Sequence, residues 1–514
     1  MNPGNNFKAG EEVVVMLSTG IIAQSVGLKP PHQFQFRTAA KGCPQFLIGT
    51  NGSYGDKLSE GVALGDLDGD GDLDAFVANY GAGSDIYLNN GHGTFTIAGV
   101  LGAKSSTHVA LGDLDSDGDL DAIVANYFGQ GNDVYLNSGT GAFTTNGSLG
   151  AGFCWDIALG DLDGDGDLDA FVANDNGESE HVYLNNGNGT FTTNGSLGGK
   201  NSLGVALGDL DADGDLDACV VNVPTTNGIG NDVYLNNGNG TFTTNGTFGI
   251  YAGYDVALGD LDNDGDLDAF VANGNIAPEQ VFLNDGSASF SASEIGAGAS
   301  SGVALGDLDG DGDLDAFVTN ENEEPENVYL NNGDGTFSAN KTLGGKNSWG
   351  GVALGDLDGD GDLDAFVANF NTGNDVYLNV SCVDTGDFDT DGIPTAFELG
   401  SGLNPLDPTD ADADSDTDGF TGREEYIADT QPTNGASFFP EILLTNAPSG
   451  RTALVIDQTS PGRIYGVFVN TNLLQSPQAW TLVPPEQTGT AAALTLTITN
   501  TLPVANYRTG VRLP

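Results

Sequence analysis

The chain has 514 residues, with 73 acidic side chains against 14 basic ones and a formal net charge of −59. An acidic excess of that size excludes nucleic acid as a partner, whose phosphates would be repelled. A hydrophobic content of 39% excludes a disordered acidic tail, and the length allows two to four domains.

In chain order, residues 1–43 form an N-terminal segment. Val13 to Leu28 is its one candidate export signal, with a cut after Ala23, although Glu11 and Glu12 occupy the place of the usual positive charge. From Val62 the phrase VALGDLDGDGDLDAFVAN begins, and it returns six more times with small changes. The first aspartates of the copies, Asp66, Asp113, Asp161, Asp209, Asp260, Asp307 and Asp356, are separated by 47, 48, 48, 51, 47 and 49 residues. A repeat of this length matches one four-stranded propeller blade, and a closed ring leaves few exposed strand edges. Within the first copy Val62-Ala-Leu-Gly, Ala75-Phe-Val-Ala, Ile86-Tyr-Leu and Thr94-Phe-Thr read as four strands. An aspartate loop follows the first, and an Asn-Gly turn at Asn89 to Gly93 precedes the fourth.

The seventh copy stops after Tyr377-Leu-Asn379, before the turn and fourth strand. Gln45-Phe-Leu-Ile-Gly, ahead of the first copy, resembles that missing strand and is expected to close the ring. Cys43 and Cys382 would then flank paired strands, which predicts a disulfide; the alternative is two unrelated thiols. Cys219 replaces the Phe of its strand as a small buried hydrophobe, and Cys154 carries no signal.

Each copy carries D-x-D-x-D-G-D-x-D: Asp66, Asp68, Asp70, Asp72 and Asp74 in the first, then Asp113, Asp115, Asp117, Asp119 and Asp121. Asp161, Asp163, Asp165, Asp167 and Asp169 follow, and Asp209, Asp211, Asp213, Asp215 and Asp217. The last three copies supply Asp260, Asp262, Asp264, Asp266 and Asp268; Asp307, Asp309, Asp311, Asp313 and Asp315; and Asp356, Asp358, Asp360, Asp362 and Asp364. Calcium takes six to eight oxygens and favours a tight loop with carboxylates at alternate positions. Positions one, three, five and nine are expected to ligate through side chains and position seven through its carbonyl, with glycine at six for the turn. Magnesium suits so many protein ligands less well. A solvated acidic turn would have to recur seven times with one spacing.

These copies resemble the FG-GAP (VCBS-type) repeats of integrin α-subunit propellers and of related bacterial surface proteins, from about Pro44 to Cys382. The resemblance implies structural calcium on one face of the propeller and ligand engagement elsewhere. Strand polarity puts the aspartate loops and Asn-Gly turns on one side, and the more variable connections on the other. That second side carries Tyr54, Tyr80, Tyr127, Phe128, Trp155, Tyr251, Tyr254, Trp349 and Phe370, together with Lys57, Lys104, Lys200, Lys341 and Lys346. Of these, Tyr80, Tyr127, Phe128, Trp155, Tyr254, Trp349, Lys104, Lys200 and Lys346 are the candidate ligand-binding residues, suited to a glycan, an acidic one included, or to a carboxylate-bearing protein. The alternative is that the lysines only avoid the calcium loops and the aromatics cap the core.

After the repeats, Asp387, Asp389, Asp391, Ile393 and Glu398 match a twelve-residue EF-hand loop, and Asp414, Asp416, Asp418, Phe420 and Glu425 match a second. The segment resembles thrombospondin-type-3 or dockerin-like stretches, which implies two further calcium sites, about nine in all, in a stiffened spacer. From about Gly435 strands are expected at Thr452 to Ile456, Ile464 to Val469 and Ala493 to Thr499. The fold class is therefore mainly β: a seven-bladed propeller at 44–382, a calcium spacer at 383–435 and a small sandwich-like β domain at 436–514. No apolar run spans a membrane as a helix. No HExxH or P-loop occurs, and His32, His92, His108 and His181 form no motif. The expectation is a secreted or surface recognition module. The alternatives are a structural element of a surface assembly or a polysaccharide lyase using Lys, Tyr or His as its base.

Overall fold

A computed structural model describes residues 54–379 apart from 225–229, 297, 350 and 371, together with Phe46–Ile48, scattered positions between 393 and 426, and the backbones of terminal strands. The first repeat folds as four antiparallel strands in chain order, Ser59–Gly65, Asp74–Asn79, Ser84–Asn89 and Phe95–Leu101. Five more sheets of the same order follow, at 106–149, 154–197, 201–248, 253–295 and 300–343. The seventh contains Gly351–Gly355, Asp364–Ala368 and Asp375–Asn379, and its outer strand is Phe46–Ile48, in the register Asn379↔Phe46 and Tyr377↔Ile48. The ring is a seven-bladed propeller closed by its N-terminal strand. First strands of neighbouring blades pack side by side around the axis, Gly351–Gly355 against Ser59–Gly65 included.

Burial follows radial position. Second strands are buried along their length, as in Asp74–Asn79, because both faces meet a neighbouring blade; Val223, at the end of blade four's strand, is half-buried. Fourth strands bury or half-bury the leading Phe, Phe95 fully and Phe191 and Phe242 in part, and expose most of the rest, which is why Thr, Ser and Asn predominate there. Phe76, Phe171, Phe270, Phe317 and Phe366 fill the spaces between blades, and Cys219 stands fully buried where blade four would have its Phe. Cys154 is buried too, in the place blades one, two, four, six and seven give to serine, and both thiols are free. The disulfide predicted between Cys43 and Cys382 lies outside the described residues.

Each blade is latched to its predecessor through the Asn that ends the third strand. Asn137 Nδ2 donates to Leu67 O of blade one at 2.8 Å, Asn185 to Leu114 O at 2.9 Å and Asn236 to Leu162 O at 2.9 Å. Asn89 makes the same bond to Leu357 O, 268 residues away, across the seam of the ring. The acceptor is always the second residue of an aspartate loop, so these loops lie where blade meets blade.

A second repeated contact divides six of the blades into two types. In blades two and four Asn132 and Asn231 open the third strand, and in blade seven Asn374 directly precedes it; their side-chain oxygens accept backbone N–H from Asn126, Asn222 and Asn369. In blades three, five and six the same role falls to Glu180, Glu279 and Glu326, each buried and each also accepting a serine hydroxyl of the next blade. Burial pushes these carboxyls up, to about 8, 7 and 8, against the opposing pull of those donors. A folded-state pKa above the unfolded value means the native state binds more protons, so this contribution is full below about pH 4.5 and fades as pH rises through 7 to 8. Gln fits the same bonds: its Oε1 accepts the backbone N–H, its amide donates to Ser202 Oγ, and that hydroxyl still donates to Asn222 Oδ1 at 2.7 Å. The triple change Glu180→Gln, Glu279→Gln and Glu326→Gln is therefore expected to raise the unfolding temperature by roughly 5 °C at pH 8 and leave it unchanged at pH 4.5. Equal stability at pH 8 in a scanning-calorimetry comparison would show that these carboxylates are not strained by burial.

The chain divides into two compact units, Met1–Ser381 and Cys382–Pro514. In the first, Glu12–Leu17, overlapping the candidate export signal, pairs with His32–Arg37. In the second, Ile393, Leu403 and Ala411 form a small core joined by Phe397 and Tyr426. Two three-stranded sheets follow, Leu443–Ala447, Arg451–Ile456 and Leu494–Thr499 in one, Thr481–Thr488, Ile464–Asn470 and Asn506–Arg512 in the other. Among the described residues no helix is long and apolar enough to cross a membrane.

Candidate functional site

The aspartate loops join first and second strands. Asp66 accepts backbone N–H from Gly69 and Asp70 on one oxygen and from Gly71 on the other, winding the loop around its own first carboxylate. The ninth-position Asp74 is fully buried; its Oδ2 accepts Leu67 N and its Oδ1 accepts Asn89 N. Burial pushes it up to about 6, and Asp68 and Asp70 add to the rise. Carboxylate oxygens of Asp113, Asp115 and Asp121 lie within 4.8 Å of one another, as do those of Asp161, Asp163 and Asp169, and the sets in blades four and five. Charges that close repel by roughly 3 kcal/mol per pair at an effective dielectric of about 20. Third-position oxygens of Asp115, Asp211, Asp262 and Asp358 are buried with no hydrogen-bond partner. Crowded hard oxygens, some of them orphaned, fit a divalent cation. The seventh-position carboxylate points elsewhere: a Cβ on Gly91 would lie 2.6 Å from Asp72 Oδ2, so the Asn-Gly turn needs glycine there, at φ +73°. Of the two EF-hand-like loops, Ile393 and Glu398 are described, and both are buried; Asp387, Asp389, Asp391, Asp414, Asp416, Asp418, Phe420 and Glu425 lie outside the described residues.

The opposite end of the axis is built by a bulge. In blades one to six the first strand slips register near its start, at Ser59/Gly61, Ser106/His108, Cys154/Asp156, Ser202/Gly204, Gly253/Asp255 and Ser300/Gly302. A bulge frees one residue from the ladder and re-aims its side chain. The freed residues are Glu60, Thr107, Trp155, Leu203, Tyr254 and Ser301; with Trp349 of blade seven they line the mouth of the central channel. A cavity of about 210 Å³ opens there, bounded also by Asp175, Asn201, Val223 and Glu321.

Six of the sequence-derived ligand candidates gather at this mouth. Trp155 and Trp349, on blades three and seven, bring their ring centroids to 6.4 Å at 45°. Tyr127 packs edge-on to Trp155 at 5.5 Å and Phe128 at 4.9 Å from Tyr127, while Tyr80 meets Phe128 at 5.8 Å. Tyr127 Oη donates to Asp175 Oδ2 at 2.7 Å. Tyr254 lines the same cavity, its ring lying over Gly274, where any Cβ would overlap it. Phe128 is 54% exposed and sits at φ +60°, a conformation that costs a bulky residue energy. Below the rings, His108 Nδ1 lies 2.6 Å from Asp156 Oδ1. Burial lowers His108, but Asp156 and Asp255 outweigh it and leave the imidazole above its ordinary pKa.

The lysines do not join this site. Lys57, Lys104, Lys200 and Lys346 pair with Asp85, Asp133, Asp232 and Asp375 of the third strand at 2.6, 2.6, 2.8 and 2.5 Å. Each also donates to a carbonyl of the adjoining turn, Gly83, Gly131, Gly230 or Gly373. Lys341 is in the strand Phe337–Leu343, not in a between-blade connection, and donates to Phe46 O at 3.3 Å. The cationic face expected for an acidic ligand is therefore replaced by ion pairs internal to each blade. Tyr54 is corrected as well: it packs in the core against Tyr87, Phe95 and Phe366. Tyr251 donates to Glu294 at 3.0 Å, apart from the mouth.

No curated protein matches the chain. Among solved structures it is similar to an Agrocybe aegerita lectin, described for specific recognition of non-reducing terminal N-acetylglucosamine, at 21% identity, TM-score 0.43, covering 66% of this chain and 98% of the lectin's. It is also similar to BBS1N in complex with ARL6DN, soaked with lead, at 11% identity and TM-score 0.47, covering 66% and 98%. The family model for the FG-GAP-like repeat matches residues 66–124, 113–172, 161–220, 260–318 and 307–367, together just over half of the sequence. On those matches and the seven-bladed ring that contains them, the chain belongs to the FG-GAP-like repeat family.

Proposed function

We propose that the chain is a calcium-stabilised recognition module, secreted or displayed at a cell surface, that binds a glycan or protein ligand at the channel mouth without catalysing a reaction. The observation that carries this reading is the convergence of Trp155, Trp349 and Tyr254 from three blades on one cavity opposite the aspartate loops, with Tyr127 of a fourth blade packed against Trp155. Exposed aromatic side chains on a rigid scaffold are the usual anchors of contacts. The orphaned loop oxygens support calcium in the blades. Loops this rich in carboxylates suit extracellular calcium, where modules of modest affinity fill. Residues 383–435 then serve as a calcium-stiffened spacer of the thrombospondin-type-3 or dockerin-like kind, and the C-terminal sheets as a sandwich. A lyase reading has little to draw on, because Lys57, Lys104, Lys200 and Lys346 are ion-paired and His108 is held by Asp156.

The chain has three tryptophans, two of them in the mouth, so indole emission reports on this site. Screening calcium-loaded protein against glycans and extracellular proteins is expected to yield a ligand that quenches or shifts this emission. Trp155→Ala or Trp349→Ala is expected to weaken that ligand at least about tenfold, the loss typical of a central aromatic anchor. A ligand whose affinity ignores both changes would move the recognition surface away from the mouth.

A further inference from the structure

Two features of the channel mouth point to the charge of what it holds. The first is the set of carboxylates beneath and beside the rings. Glu60, at the bulge of blade one, is 5% exposed and lines the narrow inner part of the cavity, and its Oε2 is buried with no hydrogen-bond partner. Burial pushes this carboxyl up to about 8, as expected for a group that lacks a counter-charge. Asp156 and Asp255 lie on the same floor, and Asp175 and Glu321 on the outer wall. Among the described residues no lysine or arginine lines either part; His108 is the one basic side chain among them there, and Asp156 holds it.

The second is the arrangement of the rings. Trp155 and Trp349 approach from opposite sides of the axis at 45°, and Tyr254 lines the same cavity. Rings on several sides enclose a rounded group, where one flat platform would favour stacking of a planar or pyranose face. Aromatic faces carry negative charge density and attract cations, most strongly when the site is desolvated. A volume of about 210 Å³ exceeds the roughly 150 Å³ that houses a benzene-sized ligand.

We infer that the channel mouth is a site for an organic cation, a trimethylammonium or comparably methylated amine, enclosed by Trp155, Trp349 and Tyr254 and neutralised by Glu60. This rests on the proposal that ligands are recognised at the mouth, and it names their chemistry. The methylated head contacts the indoles, its charge meets the otherwise unpartnered Oε2, and the acidic outer wall turns anions away. The class covers a free amine such as choline and the same head carried on a larger molecule; a phosphate next to the head would face Asp175 and Glu321.

The test is calorimetric titration of the full calcium-loaded chain with choline, with its uncharged isostere 3,3-dimethylbutan-1-ol, and with phosphocholine. Choline is expected to bind at least about tenfold more tightly than the isostere, and phosphocholine more weakly than choline. Glu60→Gln is expected to lower choline affinity about tenfold while leaving the isostere unchanged, a split that a misfolded mouth would not produce. Trp349→Ala should weaken both. Equal affinity for choline and the isostere, or no binding of choline at millimolar concentration, overturns the inference. A neutral glycan that still shifts the mouth's indole emission would then leave the recognition reading standing without its cationic ligand. Phosphocholine binding more tightly than choline would also overturn it, by showing that the phosphate and not the ammonium is read.

Discussion

Stripping divalent cations with a chelator is expected to lower the unfolding temperature of the propeller by about 25 °C, and returning calcium to restore it. A ligand that binds only the native state at a hundred times its Kd stabilises by about 2.7 kcal/mol per site, so seven sites contribute roughly 19 kcal/mol. Divided by the unfolding entropy of a propeller this size, about 0.7 kcal/mol per kelvin, that gives the shift quoted. The loops are placed to transmit it. Leu67, second in its loop, offers its carbonyl to Asn137 of the next blade and its N–H to Asp74, so a loop that opens under carboxylate repulsion releases the neighbouring blade as well. Titration of stripped protein by calorimetry is expected to saturate near nine ions per chain, seven in the blades and two in the spacer. Asp68→Asn, at a half-buried third position, should remove one. Binding of few ions with an unchanged transition would defeat the structural role of calcium and return the acidic loops to the list of surfaces that bind partners.

What could be read from the sequence, and what could not, follows from the symmetry of the ring. A contact that the ring makes seven times leaves seven copies of one residue. The strand order, the aspartate loops and the closing strand at Phe46–Ile48 were all legible for that reason. The Asn that latches each blade to the last was equally repeated, but its role emerged only when Asn89 and Leu357 met across the seam. The lysines carried a subtler signal. Lys57, Lys104, Lys200 and Lys346 each stand two residues before a serine (Ser59, Ser106, Ser202 or Ser348) where a blade begins, in the blades whose third strand carries Asp85, Asp133, Asp232 or Asp375 at its start. Blades three, five and six have His181, Gln280 and Asn327 in that place and no lysine. That covariation within one chain marks an ion pair, whereas position alone suggested a ligand-binding face.

The mouth is the opposite case. Seven first strands converge on one axis, where there is no room for seven identical side chains, so Glu60, Thr107, Trp155, Leu203, Tyr254, Ser301 and Trp349 differ from one another. Repetition therefore fades at the place where selectivity can be built. The aromatics among them stood out by type, but Glu60 and the His108–Asp156 pair did not, because glycine holds the next position in blades one, four and six and nothing in the spacing shows a side chain turning inward.

Opening the ring at its seam is the other change expected to have a large effect. Phe46 is 4% exposed, and its ring meets Phe317 of blade six edge-on at 5.5 Å. Its carbonyl accepts Lys341 Nζ, and its strand covers the edge of Asp375–Asn379. Truncating a buried Phe to Ala costs about 3–5 kcal/mol, through lost burial and the cavity left behind. Phe46→Ala should thus lower the unfolding temperature by about 4–7 °C. Ile97→Ala, at a position 58% exposed on the outer strand of blade one, should change it by less than about 1 °C. Removing residues 1–49 goes further: the last blade is left with three strands and an open edge, ready to pair with another molecule. Size-exclusion chromatography of that truncation is expected to show assemblies larger than one chain at micromolar concentration. If instead the truncated protein stays monomeric with an unchanged transition, the seventh blade does not depend on Phe46–Ile48, and the ring is held by the Asn89–Leu357 latch and the packing of its first strands alone.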